Sequence, residues 1–239
     1  MSSKRVLMVL TSHEDMGASG KKTGNWFDEV ATPYYTFKAA GFDVTLASPQ
    51  GGAVPLDPLS ASDAFATEST RRFEQDAAAQ RALAQTARFD RLDLNGFDAV
   101  FFPGGYGQLW DLANDSKVIH AIESWIQAGT PVAMVCHGVA ILRDVRKQNG
   151  EPLVNGIALT GFTDAEDEEL GLTRHLLFSL ERALVQNGAD FRRSARNWQP
   201  HVVQDGALIT GQNPASAAQV ADALVARLIP VGDALVMQG

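Results

Sequence analysis

The chain contains a single cysteine, Cys136, among 239 residues. One thiol cannot form an intrachain disulfide, so the sequence excludes a disulfide-stapled secreted domain and favours a reducing, cytoplasmic compartment. Positive charge is also scarce, with 20 Lys and Arg against 28 Asp and Glu and a net charge of −8. Nucleic acids and anionic membranes select basic proteins, so neither is expected as a partner.

Long hydrophobic runs and metal-binding motifs are missing as well. No run approaches the ~18 apolar residues that span a bilayer, and the apolar stretch 6–10 is too short for the core of a signal peptide. The histidines show no ligand spacing and form no HExxH or CxxC pair, so no metal is expected. Without a linker, repeat or charge block, residues 1–239 are predicted to form one domain with a short tail after about residue 229.

What the chain does have is an alternation of short apolar runs with helical patterns. This alternation is typical of βαβ units and predicts a three-layer α/β/α sandwich with a mostly parallel, flavodoxin-like central sheet. Strands are predicted at 5–11, 43–47, 97–102, 132–135 and 157–160, and a hairpin at 201–203 and 207–210. Helices are predicted at 28–40, 116–128, 174–187 and 215–228, with one or two more in 62–85.

The most informative segment is the apolar strand 132–135 that runs directly into Cys136, His137 and Gly138. A strand-to-helix elbow would hold Cys136 on a strained turn, with its sulfur exposed at the carboxyl edge of the sheet. Backbone N–H groups at the following turn would lower the pKa of the thiol and would donate to an oxyanion. The alternative is a buried structural cysteine, but the elbow and the adjoining histidine favour a reactive one.

A glycine-rich turn follows the strand 97–102 and should reach the same edge. Gly104 and Gly105 leave the backbone bare, so an N–H can approach a ligand closely. Tyr106 would close the pocket or donate a hydrogen bond. The spacing fits neither a dinucleotide fingerprint nor a P-loop, and the alternative is a plain turn.

Carboxyl groups supply the remaining candidates. Glu29 lies early in the first predicted helix, where an acidic residue is also favoured by the helix dipole alone. One carboxylate of the acidic stretch 164–169 could orient His137 as the third member of a Cys/His/acid triad. Helix capping explains most of that stretch, and no sequence rule selects which residue would serve.

Taken together, these motifs resemble a known superfamily. PGGYG, AMVCHG and TGNWFDE resemble the ThiJ/PfpI superfamily, with its class I glutamine-amidotransferase-like fold. The pieces SPQGG, PLDPLS, TGFTDAEDEE and ITGQNPASA look like its glyoxalase III, or heat-shock-protein-31-like, branch. The resemblance covers nearly the whole chain.

The resemblance implies a role for each of four side chains. Cys136 would be the nucleophile, and His137 the general acid or base. Glu29 would hydrogen-bond the thiol and tune it. Asp167 falls at the third position of the triad, where relatives often have glutamate.

The glycine-rich turn is implicated in the same way. Gly105 matches the glycine whose N–H contributes to the oxyanion hole, next to Gly104. Tyr106 departs from the pattern, because many members of the branch have histidine there. This departure affects the polarity of the pocket and therefore the preferred substrate.

The function that the resemblance implies is the cofactor-free, glutathione-independent conversion of methylglyoxal, a 2-oxoaldehyde, to lactate, with protein deglycation as a related activity. A cytoplasmic homodimer is implied as well. Two alternatives from other classes stay open. One is a holding chaperone or redox sensor that uses the oxidisable thiol of Cys136. The other is a hydrolase or peptidase acting on small amides.

Overall fold

The computed structural model describes residues 3–229, in which short strands and helices alternate. The strands are β1 (Arg5–Val9), β2 (Asp43–Ser48), β3 (Ala87–Arg88), β4 (Ala99–Phe102), β5 (Val132–Val135), β6 (Ala158–Leu159), β7 (Asp190–Phe191), β8 (Val202–Asp205) and β9 (Leu208–Gly211). The helices are α1 (Phe27–Ala39), α2 (Glu68–Gln75), α3 (Ala77–Ala84), α4 (Ser116–Ala128), α5 (Asp164–Glu169), α6 (Leu180–Gln186) and α7 (Ala217–Leu228). A 3₁₀ helix covers Cys136–Arg143.

Seven of the strands form one sheet in the order β3-β2-β1-β4-β5-β9-β8. All neighbours are parallel except β8 and β9, which form the predicted antiparallel hairpin. In β1, Val6 pairs with Val44 on one side and with Ala99 on the other. Every residue of β4 and β5 is buried, which explains why both strands are continuous apolar runs rather than alternating ones.

Helices cover both faces of this sheet. Val6 and Met8 of β1 pack in the cluster that contains α1 and α7, whereas Leu7 and Val9 pack in the cluster that contains α4 and α6. Side chains of a strand alternate between the two faces, so one strand contributes to both cores. The predicted three-layer α/β/α fold with a mostly parallel sheet is confirmed.

Most predicted elements match the structure, and α4 has the predicted bounds of 116–128. The helix predicted over 174–187 is wrong in its first half. Residues 173–175 form a single 3₁₀ turn, and α6 begins only after Ser179, whose side chain accepts a hydrogen bond from the N–H of Arg182. An N-cap serine of this kind starts a helix where the apolar pattern alone suggests an earlier beginning.

Two further differences concern short strands. The strand predicted at 157–160 exists as β6, but it pairs with β7 in a separate two-stranded unit rather than with the main sheet. β3 and β7, of two residues each, were not predicted. The single-domain organisation stays a prediction, and the tail expected after residue 229 lies outside the described residues. Within residues 3–229, no helix is long and apolar enough to cross a membrane.

Candidate active site

The cysteine lies where the central strand β5 ends. Cys136 follows Val135 directly and adopts a left-handed backbone with φ of 56°, as the elbow predicted. Such a conformation costs a non-glycine residue roughly 1–3 kcal/mol, so it persists only where the surroundings enforce it. Only 2% of Cys136 is exposed, however, so the expectation of an exposed sulfur is wrong.

The glycine-rich turn after β4 closes over the cysteine, and its two glycines are required by space. A Cβ on Gly104 would lie 2.6 Å from both the Cβ of Cys136 and Oε2 of Glu29. Gly105 has φ of 111°, and a Cβ there would lie 2.7 Å from the backbone nitrogen of Trp26. The bare backbone is what allows this turn to approach the sulfur.

Glu29 comes from the first turn of α1 and is fully buried. Its Oε2 accepts a hydrogen bond of 2.6 Å from the N–H of Gly104, and the carboxyl also faces the thiol of Cys136. Burial raises the pKa of Glu29 to about 8, although these hydrogen bonds oppose the shift. Glu29 therefore keeps its proton over most of the neutral range.

The pKa of Cys136 is also raised, mainly by burial and further by the neighbouring carboxyl of Glu29. Hydrogen bonds from the N–H groups of His137 and Gly105 to the sulfur lower the pKa but do not compensate. The expectation of a lowered thiol pKa is therefore wrong. The elbow supplies the expected donors, but it also removes the thiol from water, and desolvation is the larger effect.

His137 contacts the sulfur from the other side, because its Nδ1 lies 3.5 Å from Sγ of Cys136. Its Nε2 lies 3.3 Å from Oδ1 of Asp167. That approach lacks the geometry of a hydrogen bond, and Nε2 has no hydrogen-bond partner among residues 3–229. The structure thus brings Cys136, His137 and Asp167 together, while the last link of the predicted triad is a contact without a hydrogen bond.

Tyr106 lies beside the contact between His137 and Asp167. Its hydroxyl donates a hydrogen bond of 2.8 Å to Oδ1 of Asp167, the same oxygen that Nε2 of His137 approaches. Its ring lies against the imidazole, with 4.2 Å between the ring centroids. Burial and the charge of Asp167 raise the pKa of Tyr106 well above its ordinary value, so the phenol stays protonated.

The sulfur faces a narrow, partly open cavity with aromatic walls. Its volume is about 10 Å³, which is room for roughly one water molecule. The lining residues are Trp26, Gly105, Tyr106, Cys136, His137, Phe162, Leu170, Trp198 and Pro214.

Sequence analysis missed part of this wall. Phe162 packs between His137 and Trp198, with ring centroids 4.6 Å and 5.6 Å away. Leu170 and Pro214 complete the apolar surface. Phe162 lies next to an acidic stretch and Trp198 lies in a polar loop, so no local sequence pattern indicates either residue.

Within residues 3–229, no group of three or more His, Cys, Asp or Glu side chains is placed to hold a metal ion. The arrangement around Cys136 instead provides a thiol, a carboxyl, an imidazole and two N–H donors. Such a set can add a sulfur to a carbonyl carbon, stabilise the resulting oxyanion and move protons.

The fold is that of a known family. A model of the DJ-1/PfpI family matches residues 27–227, so the chain belongs to the DJ-1/PfpI family. Its similarities lie in the glyoxalase III and HSP31-like branch, as the motifs suggested.

Glutathione-independent glyoxalase HSP31 of Saccharomyces cerevisiae is 34% identical over 226 residues, which cover 91% of this chain and 94% of that protein. The structure of Rapid Encystment Protein 24 kDa from Francisella tularensis matches with a TM-score of 0.90 and 33% identity, over 95% of this chain and 100% of that one. Glyoxalase III from Candida albicans matches with a TM-score of 0.86 and 30% identity, over 93% of this chain and 96% of that one. Two of these three relatives are thus named glyoxalases, and the one from Saccharomyces cerevisiae is named glutathione-independent.

Proposed function

We propose that this protein is a glutathione-independent glyoxalase that converts methylglyoxal and similar 2-oxoaldehydes to 2-hydroxy acids on Cys136. The observation that carries the proposal is the sulfur on its strained turn, which lies 3.5 Å from Nδ1 of His137 and beside the fully buried carboxyl of Glu29. The names of the full-length relatives support the same reaction. No external thiol is needed, because the sulfur of Cys136 takes the part that glutathione plays elsewhere.

In the first step, the sulfur of Cys136 adds to the aldehyde carbon. The thiol proton passes to Nδ1 of His137, which lies 3.5 Å from Sγ. The electron pair of the carbonyl moves to oxygen, and the N–H groups of Gly105 and His137, which face the sulfur, would donate hydrogen bonds to that oxygen. Removal of a single such donor costs roughly 3–4 kcal/mol of transition-state stabilisation in a hydrolytic enzyme. Transfer of a proton to that oxygen, from the carboxyl of Glu29 or from the imidazolium of His137, gives a hemithioacetal and leaves the proton donor able to act as a base.

In the second step, a proton moves between the two substrate carbons. Glu29 or His137 takes the hydrogen from the former aldehyde carbon, which gives an enediol, and a proton is then delivered to the neighbouring carbon. The former aldehyde carbon is thereby oxidised to a thioester while its neighbour is reduced to a secondary alcohol, so no external oxidant or reductant is required. Water then hydrolyses the thioester, which releases lactate and regenerates the thiol of Cys136.

The test is lactate formation from methylglyoxal by the purified protein in the absence of glutathione. Cys136→Ala should abolish the activity, because no other cysteine is present. His13→Ala is a matched control, since the ring of His13 stacks on Trp110 and does not line the cavity. Unchanged lactate formation in Cys136→Ala, with His13→Ala also active, would exclude the proposal.

The same variant separates the two alternatives. A holding chaperone predicts that suppression of client aggregation survives Cys136→Ala. An amide hydrolase predicts turnover of fluorogenic amides that the same substitution removes. Deglycation, as an extension of the glyoxalase chemistry, would require release of lactate from a glycated peptide and loss of that release in Cys136→Ala.

A further inference from the structure

The cavity at Cys136 is too small for the proposed substrate. Its volume of about 10 Å³ suffices for about one water molecule, whereas methylglyoxal has five non-hydrogen atoms. Entry of the substrate therefore requires that part of the wall move.

Trp198 is the outermost part of that wall. Among the nine lining residues, it is the one with an exposed side chain, at 38%, whereas Trp26, Tyr106 and Phe162 are all buried. Its indole packs edge-on against Phe162 and belongs to the loop between β7 and β8, where residues 192–201 form no regular helix or strand. Displacement of this side chain would open the cavity without disturbing the sheet.

Trp198 is held by two carboxylates of the short helix α5. Its backbone N–H donates a hydrogen bond of 2.9 Å to the buried Oε1 of Glu166, and its indole N–H donates to the exposed carboxylate of Glu169. The residue has φ of 65°, a strained conformation for a side chain of this size. The inner contact anchors the backbone, and the outer contact is a hydrogen bond at the surface that competes with water.

We propose that Trp198 is a gate over Cys136 that restricts the site to short 2-oxoaldehydes. In the open state, the indole leaves Phe162 and gives up its hydrogen bond to Glu169, while the backbone hydrogen bond to Glu166 remains as a pivot. A substrate with a methyl group lets the indole return, whereas an aryl substituent would occupy its place. The part concerning substrate size rests on the proposed function, but the part concerning access does not.

Access can be measured without any enzymatic activity, because Cys136 is the one cysteine of the chain. Alkylation of the full-length protein, followed by mass spectrometry, reports on that sulfur alone. Iodoacetamide serves as the small reagent and N-(1-pyrenyl)maleimide as the bulky one. Iodoacetamide, like methylglyoxal, has five non-hydrogen atoms, so we expect both rates to rise in Trp198→Ala, and the rate with the bulky reagent to rise at least tenfold more than the rate with iodoacetamide.

Trp110→Ala is the matched control. Trp110 is partly buried, stacks on His13 and does not line the cavity, so its removal should leave the ratio of the two rates as in the wild type. An unchanged ratio in Trp198→Ala would overturn the proposal. So would an equal increase in Trp110→Ala, which would indicate general loosening.

A second pair of variants keeps the indole and changes the carboxylate that accepts its N–H, which also accepts a hydrogen bond from the side-chain amide of Asn197. Glu169 is exposed, so its replacement should leave the fold intact. Glu169→Ala removes the acceptor and should raise labelling by the bulky reagent severalfold, whereas Glu169→Gln keeps an acceptor and should resemble the wild type. Equal rates in the two variants would contradict the role of this hydrogen bond in the gate.

Substrate selectivity is the last measurement. Trp198→Ala should raise kcat/KM for phenylglyoxal relative to that for methylglyoxal by about tenfold, and Trp110→Ala should not. If the labelling results hold but neither aldehyde is converted by the wild type, the gate stands and the proposed function fails. If both aldehydes are converted with an unchanged ratio in Trp198→Ala, the function stands and the restriction on size fails.

Discussion

At the scale of single residues, one carboxylate oxygen has two neighbours. Oδ1 of Asp167 accepts a hydrogen bond from the hydroxyl of Tyr106, and Nε2 of His137 lies 3.3 Å away without a hydrogen bond. If Nδ1 is to take the thiol proton, the other ring nitrogen must carry hydrogen. A buried N–H without a partner costs about 1–3 kcal/mol. Tyr106 therefore leaves the imidazole less firmly oriented than a pairing with Asp167 would.

Removal of the Tyr106 hydroxyl should change which group donates a hydrogen bond to Asp167. In Tyr106→Phe, Oδ1 of Asp167 loses its donor and is free to accept the Nε2 proton of His137, which satisfies both groups. We expect kcat/KM for methylglyoxal to rise a few-fold. The imidazole proton of His137 should also shift downfield in the NMR spectrum, as a hydrogen bond to a carboxylate requires.

Tyr35→Phe provides the control, because the hydroxyl of Tyr35 donates to Asp76 and neither residue lines the cavity. It should alter neither kcat/KM nor the His137 resonance. A fall of more than tenfold in kcat/KM in Tyr106→Phe would indicate that the phenol itself is needed for the reaction.

At the scale of elements, the short helix α5 connects the reactive groups to the outer wall of the cavity. It contributes Asp167 beside His137, and it contributes Glu166 and Glu169 to the loop that contains Trp198. A capping box at Thr163 fixes its first turn. A helix of six residues is too short to be stable alone. The contacts of its carboxylates with His137 and with the loop of Trp198 therefore stabilise the helix as well as the loop.

Glu166 is the central group of this arrangement and is fully buried. Its Oε1 accepts hydrogen bonds from the N–H of Trp198 and from the amides of Gln212 and Asn213, while Oε2 accepts from Thr163. Glu166→Gln would turn one NH₂ group toward donors. We expect the free energy of unfolding in urea to fall by about 2–4 kcal/mol, since hydrogen bonds to a charged group contribute about 1.5–3 kcal/mol each.

The exposed neighbour Glu168 gives the comparison on the same helix. Glu168→Gln should change the free energy of unfolding by less than about 0.5 kcal/mol, as is usual for surface substitutions. A loss in Glu166→Gln no larger than that in Glu168→Gln would mean that the carboxylate is not what anchors the loop.

The main elements were predictable because their signals are local. β4 and β5 are apolar runs buried on both faces, and α4 has an amphipathic pattern between an N-cap aspartate and Gly129. β3 and β7 are too short for any periodic pattern. The start of α6 was misplaced because the side chain of Ser179, rather than the apolar spacing, determines it.

Some features of the candidate site could likewise be predicted from the sequence, and others could not. Adjacent residues such as Cys136 and His137 stand out in the sequence, and glycines beside a strand end do too. The wall made by Phe162 and Trp198 depends on tertiary contacts across more than thirty residues, which no local pattern encodes. The raised pKa of Cys136 was also hidden, because it follows from burial rather than from neighbours in sequence.

At the scale of the whole molecule, two groups of carboxyls respond to pH in opposite ways. Surface aspartates such as Asp76 and Asp90 have lowered pKa values, owing to hydrogen bonds to backbone N–H groups or to basic side chains. Their stabilisation is complete above the unfolded pKa of about 4 and is lost only in acid.

Buried Glu29, Asp57 and Asp111 have raised pKa values because of desolvation. The folded state retains their protons longer than the unfolded chain does, so stability declines as pH rises between the two pKa values.

Glu29 should dominate that decline, because its pKa rises from an ordinary 4.5 to about 8. Between these values the native protein binds more protons than the unfolded chain, and the free energy of unfolding falls as pH increases. Glu29→Gln removes the titration while its amide oxygen can still accept the N–H of Gly104. We therefore expect the variant to be more stable than the wild type at pH 8, by on the order of 2–5 kcal/mol, and to have a flatter dependence of Tm on pH between 5 and 8.

Glu74→Gln, at an exposed site on α2, should follow the wild-type curve. A Glu29→Gln curve that runs parallel to the wild type would show that this carboxyl is already ionised in the folded protein at neutral pH.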